Sequence, residues 1–194
     1  MGADPVCLTK HSDKVFPQTI VLGPNAEMKN VFLHIVEGLP KKDYPVPTEP
    51  AVLTQAGCIY SPPILGVMAG QPVKILNPDG TLHNVHTLSK INPEFNLAMP
   101  KFRTETTQIF DKKEFMFEMK CDVHPWMTAY LTVTDHPFFT TSNEAGEYTI
   151  DNLPAGTYVL EAWHQRLAPQ RVNVTLADGE TKEVDFTFQR PDGK

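Results

Sequence analysis

Cys121, His124 and Met127 place a thiol, an imidazole and a thioether at positions i, i+3 and i+6 of the run Cys121-Asp122-Val123-His124-Pro125-Trp126-Met127. A second imidazole is at hand in Leu82-His83-Asn84-Val85-His86. Two imidazoles, one thiolate and a weak axial thioether are the donor set of a blue-copper site. Cu(I) is soft and favours sulfur, Cu(II) favours nitrogen, and a near-trigonal site serves both without rearranging. Rival centres fit less well. Structural zinc takes four Cys or His ligands and methionine is not among its usual donors. The Cys-x-x-Cys-His pattern of a c-type haem is absent, and no cysteine cluster exists for an iron–sulfur centre. The residues point to one copper ion.

Such a site needs stiff elements around it, and the sequence supplies strands. Thr19-Ile20-Val21-Leu22 and Asn30 to Val36 are rich in β-formers and are closed by Gly23-Pro24 and Gly38. Gln71 to Leu76 ends at the turn Asn77-Pro78-Asp79-Gly80, while Pro45, Pro47 and Pro50 make 41–50 an extended loop. Alternation sets Phe115, Phe117, Met119 and Cys121 on one face of the next strand and Met116, Glu118 and Lys120 on the other, which aims the Cys121 sulfur inward. Tyr130 to Val133, Glu147 to Ile150, Thr157 to Trp163, Val172 to Leu176 and Val184 to Phe188 read as further strands. A short segment from Asn92 to Met99 is the one helical candidate. The class is all-β, a sandwich with an additional small β unit.

Composition excludes several functions. The chain has 194 residues and a formal net charge of −6 without a basic run, which argues against nucleic acid and leaves room for a basic protein partner. No apolar stretch approaches the roughly 20 residues of a membrane span. Met1-Gly2-Ala3-Asp4 lacks the pattern of a signal peptide, so the protein is either cytosolic or exported with its signal removed. No Ser/His/Asp set or carboxylate pair stands out, so an enzyme is not expected.

Cys121-x-x-His124-Pro125-Trp126-Met127 resembles the short ligand loop of the amicyanin branch of the cupredoxins, and His83-Asn84-Val85-His86 is similar to the first-histidine motif of amicyanins and plastocyanins. The resemblance covers about Tyr60 to Val133. It implies a cupredoxin-like Greek-key β-sandwich, with His83, Cys121 and His124 as equatorial ligands and Met127 as the axial one. Asn84 matches the residue whose backbone hydrogen-bonds the Cys sulfur and ties the two ligand loops together. Ala145-Gly146-Glu147-Tyr148 and Leu153-Pro154-Ala155-Gly156-Thr157-Tyr158 resemble a carboxypeptidase-regulatory or transthyretin-like β module, as in exported bacterial proteins of the methylamine-utilisation type. The expected domains are 1–133, copper-binding with an N-terminal extension, and 134–194, the β module.

The resemblance implies a periplasmic or otherwise exported one-electron carrier. Its partner would be a redox protein such as a cytochrome or a copper or quinone oxidoreductase. Copper storage or delivery, and a structural interaction module with an ancillary copper site, are the competing readings. Electrons are expected to pass through the His124 ring at the surface, inside a docking patch of Pro125, Trp126 and Met99-Pro100. His86 reads as a hydrogen-bonded sheet histidine. His136 and His164 have no spacing motif between them that would mark a second site, and His11 and His34 read as surface or core residues. The scattered methionines read as packing.

With Cys121 on copper, Cys7 and Cys58 are left either as a pair or as two independent thiols. In an exported protein the pair would be a disulfide clamping the N-terminal segment, worth about 2–4 kcal/mol. Thiol titration of the denatured, metal-free protein separates the two: a disulfide leaves one thiol, and independent cysteines leave three.

Overall fold

The computed structural model describes residues 4–15 and 18–189. In chain order its elements are a short helix α1 (Pro5–Thr9) and strands β1 (Val21–Leu22), β2 (Met28–Lys29), β3 (Phe32–Glu37), β4 (Ala51–Thr54), β5 (Ile64–Met68), β6 (Pro72–Leu76) and β7 (His83–Thr87). There follow β8 (Asn96–Met99), β9 (Glu105–Ile109), β10 (Glu114–Lys120), β11 (Thr128–Thr134), β12 (Phe139–Thr141), β13 (Gly156–His164) and β14 (Leu167–Leu176). The protein is all-β and divides into two compact units, Met1–Pro17 with Tyr44–Pro137, and Gln18–Asp43 with Phe138–Lys194.

The first unit is a sandwich of a five-stranded sheet, β5-β11-β10-β7-β8, and a three-stranded sheet, β4-β6-β9. Leu53, Val73 and Ile75 of the smaller sheet share one buried core with Val85, Met119 and Leu131 of the larger. Two strand pairs are parallel, β5 with β11 and β4 with β6. The pairing of β10 with β7 brings the histidine and cysteine segments together: Met119 lies opposite Thr87 and Lys120 opposite His86. Beyond Lys120 the chain therefore runs on past the start of β7, where His83 stands.

Two sequence expectations are corrected here. The Asn92–Met99 segment is not helical; Asn96–Met99 is β8, paired with β7 in the register His83 to Met99. The free edge of β7 offers backbone donors and acceptors that need partners, and this outweighs local helix propensity. The alternation along β10 is interrupted as well. Met116 has φ 48° and the register to β11 shifts between Glu114 and Phe117, a bulge that turns Phe115 outward (44% exposed) and Glu114 inward (6%). Phe117, Met119 and Cys121 keep the inward direction.

The inward Glu114 organises the turn before β8. Its carboxylate accepts from Ser89 Oγ (2.6 Å), Lys90 N (2.6 Å), Asn92 N (3.0 Å) and Asn92 Nδ2 (3.0 Å). Burial by itself would raise its pKa; the hydrogen bonds from Ser89, Asn92 and Lys90 outweigh burial and hold it at about 2.

In the second unit the sheet order is β12-β3-β13-β14, beside a β1-β2 hairpin. Phe32, Leu33 and Ile35 of β3 and Leu160 and Ala162 of β13 are buried. Glu161 is buried too, and accepts from His34 Nε2 (3.0 Å) and Arg171 Nε (2.6 Å) across three neighbouring strands. Residues 18–43 thus belong with the C-terminal unit, which differs from the 1–133 and 134–194 division read from the sequence. β3 is the physical reason, since its partners are β12 and β13. Glu147 to Ile150 and Val184 to Phe188 keep their alternating burial but join no ladder.

Glu114 has a depressed pKa, so its contribution is present above its ordinary 4.5 and is lost as pH falls through about 2. Glu114→Gln is expected to cost about 3 kcal/mol at neutral pH and almost nothing in strong acid, as read from urea unfolding at the two pH values.

Candidate metal centre

β7 and the turn after β10 deliver three donors to one point. His83 and His124 face each other with Nδ1 to Nδ1 at 2.9 Å, and Cys121 Sγ lies 3.9 Å from His124 Nδ1. All three side chains are buried, and their donor atoms lie within 4.8 Å of one another. Met127 is buried in the same core as Cys121. The loop is closed by its own backbone: Met127 N donates to His124 O (2.9 Å), and Cys121 N to Met127 O (3.1 Å).

Each imidazole turns its other nitrogen to a carboxylate. His83 Nε2 is 2.9 Å from Asp79 Oδ2, and His124 Nε2 is 2.9 Å from Asp4 Oδ2. With both Nε2 atoms donating to carboxylates, the two Nδ1 lone pairs point at one another. Only a shared proton or a cation reconciles lone pairs at that distance, and a cation would have the Cys121 sulfur beside it. The donor set therefore fits a copper ion.

Asp79 is itself held by the Gly57–Cys58 turn, whose amides donate to Oδ1 (2.8 Å) and Oδ2 (2.7 Å). Both residues have positive φ, 71° and 54°, which aims successive N–H groups at one anion. Burial would raise the Asp79 pKa, but the bonds from Cys58, His83 and Gly57 bring it below the usual range. Burial also pushes the His83 pKa down, which favours the neutral ring a metal requires. Asp4 lies below the usual carboxylate range because His124 and the Val6 amide donate to it.

Asn84 joins the two halves of the site. Its Oδ1 accepts from Cys121 Sγ (3.2 Å), Asp122 N (2.7 Å) and Val123 N (3.3 Å). The cupredoxin resemblance implies a sulfur contact from the Asn84 backbone; here the Asn84 side chain makes it, and the amide reaching the sulfur is His124 N (3.4 Å). Asn84 O accepts from the Tyr60 hydroxyl (2.8 Å), which also reaches Lys120 O (3.3 Å). Burial pushes the Tyr60 phenol well above its ordinary pKa, so it stays a donor.

Several expected roles change. His124 is 2% exposed and Met99 is 0% exposed, so neither forms a surface port. Asp4 of the N-terminal segment lies on the Nε2 edge of the His124 ring, and Met99 is part of the buried core, its sulfur accepting from Gln55 Nε2 (3.1 Å). Trp126 is half-buried with Nε1 donating to Cys58 O (3.0 Å), and Pro125 remains exposed. His86 bonds Asp122 (2.8 Å) and Glu94 (3.2 Å). His136 falls in the first unit and His164 in the second, and neither joins a metal-ligating group among the described residues. Cys7 and Cys58 form a disulfide. Asp79, Asp4 and Tyr60 were not singled out from sequence. Asp4 had a signal, since an Asp directly before Pro is an N-cap followed by proline at the first helical position.

Residues 125–189 match the family model of the carboxypeptidase regulatory-like domain, so the match begins inside the metal loop and runs through the second unit. Similar solved structures include a Cu(I) mutant of amicyanin at 22% identity, spanning 53% of this chain and 98% of that one with a TM-score of 0.40. A second amicyanin mutant in the Cu(I) form is 24% identical over 50% of this chain and 99% of its own, TM-score 0.40. A copper-containing nitrite reductase from Thermus scotoductus is 17% identical over 52% of this chain and 26% of its own, TM-score 0.39. No curated protein matches the chain in sequence.

Asn84→Ala would strip the partner from two loop amides and the thiol. We expect the metal-free protein to lose about 2 kcal/mol, measured by urea unfolding. A change within a few tenths would mean the loop is held by its own backbone alone.

Proposed function

We propose that this protein holds one type 1 copper ion and carries single electrons between redox partners. The observation that carries this reading is the pair of inward Nδ1 atoms 2.9 Å apart with the Cys121 sulfur alongside, all buried. His83, Cys121 and His124 would hold the ion equatorially, with Met127 as the weak axial donor. Copper held there supplies the reversible gain and loss of one electron. The chain's part is to keep the donors fixed. Asp79 and Asp4 orient the rings, Asn84 and the His124 amide support the sulfur, and the apolar core keeps water out.

Burial of all three donors favours a carrier over storage or delivery, because a closed site exchanges metal slowly. Met127 would fill the position that a substrate needs, which favours a carrier over an enzyme. The disulfide suits an oxidising compartment, so an exported, periplasmic setting is part of the reading. No helix among the described residues is long and apolar enough to cross a membrane. The −6 charge favours a basic redox partner, with association that weakens in salt. Among the described residues no group of three His, Cys, Asp or Glu donors falls within 125–189, and this region is read as scaffold or docking module.

The Cu(II)-loaded protein is expected to be intensely coloured by thiolate-to-copper charge transfer, and Cys121→Ser to lose that colour. Met127→Gln should retain the ion with an altered spectrum and potential. A colourless Cu(II) protein would overturn the reading.

A further inference from the structure

His124 is gripped from outside by a segment far from it in sequence. Asp4 divides its carboxylate between two tasks. Oδ1 caps α1 by accepting from Val6 N (2.8 Å) and Cys7 N (3.4 Å), while Oδ2 sits 2.9 Å from His124 Nε2. The segment is then pinned along its length. Cys7 is bonded to Cys58, Lys10 Nζ lies 3.7 Å from Asp79 Oδ1, and His11 Nε2 lies 2.7 Å from Gly57 O. The Cys7 and Cys58 sulfurs and a ring nitrogen of His124 fall within 4.8 Å of one another. The disulfide therefore packs directly on the ring that Asp4 holds.

We propose that Asp4 is a positioning residue for His124, and that the Cys7–Cys58 disulfide keeps it there, so that residues 4–11 form a fixed strap closing the outer side of the metal centre. The proposal rests on the copper reading given above. Capping alone does not require a carboxylate, since Ser, Thr or Asn caps a helix as well as Asp. What only Asp adds at this position is a second, charged oxygen on a buried ring. A ligand histidine needs its far nitrogen fixed to hold the near one on the metal. His83 has Asp79 for this, itself held by the Gly57 and Cys58 amides; among the described residues the hydrogen-bond partner of His124 Nε2 is Asp4, brought by the strap. A fixed negative charge on the ring also stabilises the more positive, oxidised form of the centre, so Asp4 lowers the reduction potential.

Two separate measurements test this. The first uses metal-free protein and diethyl pyrocarbonate, with modification of His124 read by peptide mass. Asp4→Ser, which keeps the cap, and Cys7→Ser/Cys58→Ser, which frees the strap, should each speed modification about tenfold over the parent. The second uses copper-loaded protein. Asp4→Asn keeps size and cap but removes the charge, and should raise the potential while the charge-transfer band persists. Should the double serine variant fail to fold, Asp4→Ser decides, because it retains the disulfide. An unchanged modification rate in Asp4→Ser, or an unchanged potential in Asp4→Asn, would overturn the proposal. A colourless parent protein would instead overturn the copper reading, and the metal-free measurement would still decide whether the strap holds the ring.

Discussion

One carboxamide oxygen joins the parts of this site. Asn84 Oδ1 takes a thiol and two amides from the turn after β10, and Asn84 itself sits next to His83 at the start of β7. Two segments distant in sequence are thereby fixed to each other at the point where their donors must agree. The buried Cys121 thiol would otherwise stand without this partner, and an unmet buried polar group costs more than a made one returns. The Tyr60 hydroxyl repeats the tie one layer out, bridging the carbonyls of Asn84 and Lys120. The polar groups of the site are committed to one another.

Charge follows the same logic. Two buried carboxylates, Asp79 and Glu114, are each surrounded by donors, and in both cases hydrogen bonding outweighs the penalty of burial. Glu114 shapes a turn. Asp79 does more, because its donors include the His83 ring and two amides of the Gly57–Cys58 turn, to which the disulfide is fastened. The N-terminal segment thus reaches the site by two routes. Asp4 touches His124 directly, and Cys7 is bonded to a residue that in turn holds the partner of His83.

The second unit uses its buried ions differently. His34, Glu161 and Arg171 form a chain across β3, β13 and β14 and hold strands in register. Among the described residues of the second unit, no three His, Cys, Asp or Glu side chains converge as they do in the first.

By itself the sequence determined the all-β class and marked a candidate donor set. The spacing of Cys121, His124 and Met127 with His83-Asn84 marks a donor set, and period-two alternation closed by Gly and Pro marks strands, because both signals are local. Tertiary structure decided the rest. The bulge at Met116, which turns Phe115 out and Glu114 in, follows from pairing with β11 and leaves the hydrophobic pattern unchanged. β8 is a strand because β7 needed an edge partner, which local propensity does not register. Residues 18–43 join the C-terminal unit because β3 pairs with β12 and β13, a choice between distant strands. His124 is covered, not presented, because a carboxylate 120 residues away lies on it. Contacts of that range depend on where the chain returns in space, and no window of sequence contains both partners.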